Sequence, residues 1–298
     1  MNDMLRLKFR MKIQRAARRA LRAIIFLSLL ILLHCLPSAA AQKFPHRIIS
    51  LAPNMTEIIF FLGFEKHLIG VTNSCDYPKE AEKIEKIGDY ANPNIEKIVS
   101  LKPDLILTSN FRTHPAFERM KQLRLPIYDF APADMEGVIA DIEEIGRMLG
   151  AHKLAQKRAG GLKKRVESIK RKHARQKEKP RVFVEVWYDP IMTVGSRSFV
   201  SDMLKISGAQ NIFSDIKIEY PKVSAESVIA RNPEIIVLAY MTQPQNEESI
   251  ILNRPGWHAI SAVRERRVYA DINPDLFLRP GPRLVEGLEK LEKTIYDK

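Results

Sequence analysis

GAHKLAQKRAGGLKKRVESIKRKHARQKEK, residues 150–179, is the stretch on which the fold turns. After Gly150 it holds twelve Lys or Arg against two acids, Glu167 and Glu178. Ala155, Ala159, Leu162, Val166 and Ile169 recur three or four residues apart, the spacing of a narrow apolar stripe on one helix face. About 28 helical residues at ~1.5 Å each span about 40 Å, enough to join two lobes. Gly160-Gly161 in the middle should weaken or kink the helix. An unstructured charged linker is the competing reading. The stripe and the stop at Pro180 favour one bridging helix.

Upstream, eight basic residues from Arg6 to Arg22 precede an apolar run, Ala23 to Leu33, then Pro37 and Ser38-Ala39-Ala40-Ala41. This is the pattern of a secretory signal peptide cut after Ala41, and it predicts export to the periplasm. The apolar run is short for a membrane span, so a retained anchor is the weaker alternative. A lipid on Cys35 is disfavoured by Leu33-His34, which is bulky where that cleavage needs a small residue.

Export changes the meaning of the charge. Eight cations and one acid leave with residues 1–41, so a +13 chain matures to +6. The bridging segment contributes twelve cations and two acids, which leaves the remainder near −4. The basic balance thus belongs to a leader and one solvated helix face, and it argues against nucleic acid as a partner. Cys75 remains as the single mature cysteine, which excludes an intrachain disulfide.

On both sides of the bridge, strand-like and helix-like segments alternate. In the first half, strands are expected at Arg47–Ala52, Leu68–Thr72, Asp104–Thr108 and Ile127–Phe130, with Ile87–Tyr90 a short apolar return. Helices are expected from Pro53 to Gly63, Asn94 to Leu101, and over 114–124 and 134–149. In the second half, strands at Arg181–Trp187, Glu234–Leu238 and Arg267–Ala270 alternate with helices at Ser198–Ser207, Ser224–Asn232 and 281–297. That rhythm predicts parallel sheets covered by helices. Glu96-Lys-Ile-Val-Ser-Leu-Lys-Pro103-Asp-Leu-Ile-Leu107 also aligns with Glu226-Ser-Val-Ile-Ala-Arg-Asn-Pro233-Glu-Ile-Ile-Val237 at constant offset, a sign of duplication. The expected class is α/β: two similar lobes with parallel sheets flanked by helices, joined by one long helix. The limits are 1–41 for the leader, 42–149 and 180–298 for the lobes, and 150–179 for the bridge. Such lobes leave a cleft where the carboxyl ends of their strands face each other.

Enzyme signatures are missing. Gly195-Ser-Arg-Ser198 is not a nucleophile elbow, and no dinucleotide or Walker pattern occurs. The mature histidines (His46, His67, His114, His152, His173 and His258) never fall at zinc spacing, so no metal or cofactor is expected. Cys75 could serve an exported enzyme, but no base is apparent near it, and a small buried thiol is the simpler reading. Aromatic residues at strand ends point elsewhere. Tyr90, Trp187, Tyr188, Tyr220 and Phe277 would all face the cleft, and flat aromatic walls suit a large, rigid, partly apolar ligand. Core packing is the alternative for any one of them. Glu96 and Glu226 each open a helix, where the positive helix end favours a carboxylate. Their equivalence in the repeat adds a second role, as paired knobs for basic residues of a symmetric partner.

Arg47-Ile-Ile-Ser-Leu-Ala-Pro-Asn-Met-Thr-Glu57, Cys75-Asp-Tyr-Pro78, the segment from Asn94 to Ile106, and Arg254-Pro-Gly-Trp257 resemble the helical-backbone class of periplasmic substrate-binding proteins. Members of that class deliver vitamin B12, ferric siderophores or haem to ABC importers. Asp275-Leu-Phe-Leu-Arg-Pro-Gly-Pro-Arg283 is similar to the final cleft loop of the cobalamin-binding branch. The resemblance implies that Tyr90 and Tyr220 lie against a corrin where that branch carries tryptophan, that Asp275 approaches the ligand, and that Glu96 and Glu226 dock onto transporter arginines. Ser74, Ser109 and Leu276 stand where the branch has aromatic residues. The expected protein is a monomeric carrier of a corrinoid-like ligand for the permease dimer of an ABC importer. Ferric siderophore and haem are alternative cargoes: Arg197 and Arg279 suit the first, Tyr188 or Tyr220 the second.

Overall fold

Four short apolar strands build the first sheet: Ile48–Ser50 (β1), Leu68–Val71 (β2), Leu105–Ser109 (β3) and Ile127–Phe130 (β4). The computed structural model describes residues 44–240 and 247–296; the leader read from residues 1–41, Cys35 included, lies outside them. The strand order is β2-β1-β3-β4, parallel throughout. β1 and β3 are buried along their whole length, as a sheet covered on both faces requires. Helices Pro53–Leu62 (α1), Ile95–Ser100 (α2), Pro115–Gln122 (α3) and Met135–Met148 (α4) supply the crossovers. α1 and α3 begin on prolines, whose fixed φ suits the first helical turn, and α1 ends on Gly63 in the left-handed region.

The bridge, His152–His173 (α5), is a single helix of 22 residues. It is shorter than the 28 expected because the polar run after Ala174 offers nothing to bury. Ala155, Ala159, Leu162, Val166 and Ile169 are its buried residues, as their spacing requires. Burying the three larger ones contributes about 1.5–3 kcal/mol each. Gly146 of α4 explains the close approach of its neighbour, since an added Cβ there would collide with the Cβ of Ala155. Gly160 and Gly161 do not interrupt the helix, and a Cβ at either meets nothing within 4 Å. Alanine at both sites should therefore stabilise the protein by about 0.5–1 kcal/mol each, read as a rise of a few degrees in melting temperature. No rise would mean that the helix needs those glycines for a bend.

The second sheet repeats the plan. Arg181–Tyr188 (β5), Ile191–Thr193 (β6), Gln210–Asn211 (β7), Ile235–Leu238 (β8) and Val268–Tyr269 (β9) run β6-β5-β8-β9, with β7 also beside β5. β5 pairs with β8 in parallel as β1 pairs with β3. β6 is the departure from an all-parallel sheet: it folds back on β5 as a hairpin. The helices here are Phe199–Ile206 (α6), Ala225–Arg231 (α7), Glu247–Leu252 (α8), Ser261–Arg264 (α9), Asp275–Leu278 (α10) and Leu284–Tyr296 (α11). Ser198 and Ser224 cap α6 and α7, their hydroxyls accepting from the backbone N–H of Ser201 and Ser227.

One apolar cluster runs through both halves. It joins Ile48, Met55 and Leu107 of the first lobe, the α5 stripe, and Val182, Met203 and Leu288 of the second. Two smaller clusters fill the outer faces of the sheets, around Trp257 and around Phe111. Residues Phe44–Lys298 accordingly form one compact unit.

One polar group is poorly served by this packing. Asp141, midway along α4, has a buried Oδ2 with no partner among the described residues. Burial pushes its carboxyl pKa from 3.8 to about 7. Between those values the native chain holds a proton that the unfolded chain has released. The stabilising effect is therefore fully present below pH 4 and lost as pH rises through 7. Asp141→Asn should raise stability at pH 8 by about 1–3 kcal/mol and leave it nearly unchanged at pH 4. Equal shifts in melting temperature at the two pH values would contradict this account.

Candidate functional site

At the carboxyl edge of the first sheet, Tyr90 sits in the bend after Gly88, and its hydroxyl donates to the Asn110 carbonyl at 2.7 Å. Its ring meets Phe111 edge-on at 5.1 Å and is 38% exposed. Beside it, Asn54 at the start of α1 donates to Ser109 Oγ at 3.0 Å and to the Pro280 carbonyl at 3.3 Å. The second contact brings the 275–283 segment of the far lobe onto this edge.

Charge fixes that segment in place. Arg283 donates twice to Glu57 of α1, at 2.8 and 2.6 Å, and its guanidinium lies 3.7 Å from the Tyr77 ring centroid. Arg279 binds Asp76 at 2.5 Å and Asp275 at 2.9 Å. The Arg279 guanidinium holds the Asp76 carboxyl below its ordinary range. Burial pushes the Glu57 carboxyl up, against the pull of Arg283. Both arginines and Glu57 are shielded from water, so each charge needs its partner. Asp275 and Arg279, expected at the ligand, are thus already engaged with each other and with the first lobe.

The second lobe presents its aromatic residues at the carboxyl end of β5. Trp187 and Tyr188 stack at 5.6 Å with an interplanar angle of 25°. Trp187 Nε1 donates to the Asp189 carbonyl, and Tyr188 is 38% exposed. Tyr188 also meets Tyr240 edge-on at 5.9 Å. Two other expected wall residues are placed differently. Tyr220 is half-buried against the shared core, and burial pushes its phenol pKa up. Phe277 is 0% exposed, because α10 turns its ring into the core instead of leaving it in an open loop. Tyr90 and Tyr188 are thus the exposed aromatic residues among those expected, and Trp187, stacked on Tyr188, is half-buried.

Arg197 is exposed and lines a separate hollow of about 810 Å³. Ala133 and Asp134 of the first lobe form one side, and Ser198, Asn211 and Glu219 of the second form the other. Glu96 and Glu226 occupy the same place in α2 and α7, the second residue after the caps Asn94 and Ser224, and both are exposed. Bonds from its own backbone and from Ser224 hold the Glu226 carboxyl below its ordinary range. Cys75 is fully buried, its sulfur within 3.1 Å of Thr56 Oγ1 and 3.2 Å of Thr72 Oγ1, while Lys86 Nζ donates to its backbone carbonyl at 2.9 Å. Among the described residues no cluster of three or more His, Cys, Asp or Glu is placed to hold a metal ion, and no helix is long and apolar enough to cross a membrane.

Comparison with known proteins explains this arrangement. Residues 48–273 match the periplasmic binding protein family. The chain belongs to that family. The ABC transporter substrate-binding lipoprotein YvrC of Bacillus subtilis is 37% identical, over 86% of this chain and 81% of its own length. A periplasmic solute-binding protein of Staphylococcus epidermidis, described as possibly iron-binding, superposes with a TM-score of 0.75 at 34% identity, covering 86% and 100% of the two chains. The vitamin B12-binding protein of Vibrio cholerae superposes with a TM-score of 0.73 at 30% identity, covering 84% and 96%. This periplasmic binding protein is therefore a carrier and not an enzyme, and its helix-joined α/β halves are those of its relatives.

Spacing did not single out Glu57, Asp76, Tyr77, Glu185, Tyr240 or Arg254 as site residues. Glu57, Asp76, Tyr77 and Arg254 do lie inside the motifs that carry the resemblance. Their partners are up to 226 residues away, which local spacing cannot reveal.

Proposed function

We propose that this protein is exported by its N-terminal leader, captures a corrinoid-like ligand between its lobes, and delivers it to an ABC importer. The observation that carries the cargo assignment is the stacked Trp187–Tyr188 pair at the end of β5, with Tyr188 exposed and Trp187 half-buried beside it. A paired aromatic surface takes up a flat macrocycle by stacking and area burial, and Tyr90 offers a smaller aromatic contact from the other lobe. The vitamin B12-binding relative supports the same cargo. Glu96 and Glu226, exposed and equivalent, are the acidic contacts for arginines on a two-fold importer. The carrier acts as a monomer with lobes at 42–149 and 180–298.

An iron chelate is the second reading, either a ferric siderophore or haem. The exposed Arg197 could meet anionic chelate oxygens, the exposed Tyr188 phenol could reach a haem iron, and the Staphylococcus epidermidis relative points to iron. Arg279 weakens the siderophore case, because Asp76 and Asp275 already occupy it. Titration with cyanocobalamin, haemin and a ferric hydroxamate, followed by absorbance, decides between them. Tight binding of cyanocobalamin alone is expected; preference for either iron compound would overturn the corrinoid assignment. Glu96→Ala combined with Glu226→Ala should leave that binding intact and abolish importer-dependent uptake. Normal uptake by the double variant would remove the docking role.

A further inference from the structure

Glu185 is a charged residue in the middle of a central strand, 0% exposed, where a hydrophobic side chain would fit the pattern of β5. Arg254, from the loop after α8, reaches in and donates to both carboxylate oxygens, at 2.6 and 2.7 Å. The same guanidinium donates at 3.2 Å to the backbone carbonyl of Tyr188 and lies 4.6 Å from the Trp257 ring centroid. Tyr240 OH completes the group, donating to Glu185 at 2.6 Å while its ring packs edge-on against Tyr188.

A buried ion pair is a poor way to gain stability. Desolvation offsets most of its attraction, and apolar residues of similar volume often do as well or better. What this one does gain is geometry. Arg254 is tied to the strand at two points, the 185 carboxylate and the 188 carbonyl, and between them the pairing of β5 with β6 shifts register. Beyond that shift Trp187 pairs with Met192 and Tyr188 with Ile191 across the hairpin, and the second tie anchors this irregular strand end to Arg254 as well. We infer that Arg254, through Glu185, is a positioning residue: it fixes the orientation of the Trp187–Tyr188 pair for a flat ligand. The inference rests on the proposed use of that pair as the ligand surface.

The test uses the full-length protein and two readouts. The first is the affinity for cyanocobalamin, with haemin as a second probe, beside the melting temperature. The second is the fluorescence anisotropy of Trp187, measured in a Trp257→Phe background that leaves it the single tryptophan. Glu185→Leu combined with Arg254→Met should melt within a few degrees of the parent. It should nonetheless bind about tenfold more weakly, with lower Trp187 anisotropy. Arg254→Lys, which keeps the charge but loses the fork, guards against a double variant that fails to fold, and should show the same split in smaller measure. Parental affinity and anisotropy in a folded variant would overturn the inference. Tyr188→Ala separates the two levels of the argument. Unchanged affinity there removes the ligand surface itself, whereas weaker binding there with none in the Arg254 variants removes only the positioning role.

Discussion

Glu57→Ala should lower the melting temperature by about 10 °C. The substitution leaves Arg283 nearly buried without the carboxylate that receives both arms of its fork, with Asp275 at 4.0 Å as its remaining acid, and it strips a neighbouring negative charge from Arg279. Removing one member of a buried ion pair costs about 3–5 kcal/mol, because the surviving charge stays desolvated. In a domain of this size each kcal/mol moves the midpoint by about 2–4 °C. Replacing both members, Glu57→Leu with Arg283→Met, should restore most of the loss, since no unpaired charge remains. Thermal unfolding followed by circular dichroism measures both proteins. A single variant within about 2 °C of the parent would show that Asp275 or water satisfies Arg283 once Glu57 is gone.

Trp187→Ala should weaken cyanocobalamin binding about 10- to 100-fold, the usual cost of truncating a central aromatic contact. Tyr188 would lose its stacking partner as well as the ligand losing a ring. Phe277→Leu provides the contrast. Its ring lies wholly in the core, so it should lower stability by about 1–3 kcal/mol and leave the affinity of the folded protein unchanged. Isothermal titration of both variants beside the parent reads the difference. Equal losses would mean that α10 opens on ligand binding and exposes Phe277; no loss at Trp187 would move the ligand away from β5.

These contrasts mark what the sequence could and could not reveal. The α5 stripe was legible because a period of about 3.6 survives in composition alone, and all five of its apolar residues are buried. The matching α2–β3 and α7–β8 units were legible as an offset repeat, and their caps and buried strands agree. β6 was not legible: three residues following Asp189-Pro190 are too few to show an alternation, and only pairing with β5 extends them. Phe277 was misplaced because a four-residue helix leaves no period to detect, so an aromatic in a loop-like context gave no sign of pointing inward. Arg279 looked like a free cation because Asp76, 203 residues earlier, lies beside it only after folding. The aromatic residues at the end of β5 stand out in the sequence, but the charged group beneath them does not. A glutamate in a strand is ordinarily read as facing water.

The interior shared by both sheets and α5 also bears on how cargo leaves. A wide swing of one half against the other would drag apolar side chains of that common cluster into solvent. The empty and loaded forms should therefore differ little in outline. A seat that does not spring open by itself can hold its passenger through long diffusion, and the work of emptying it then falls to the machine that receives it.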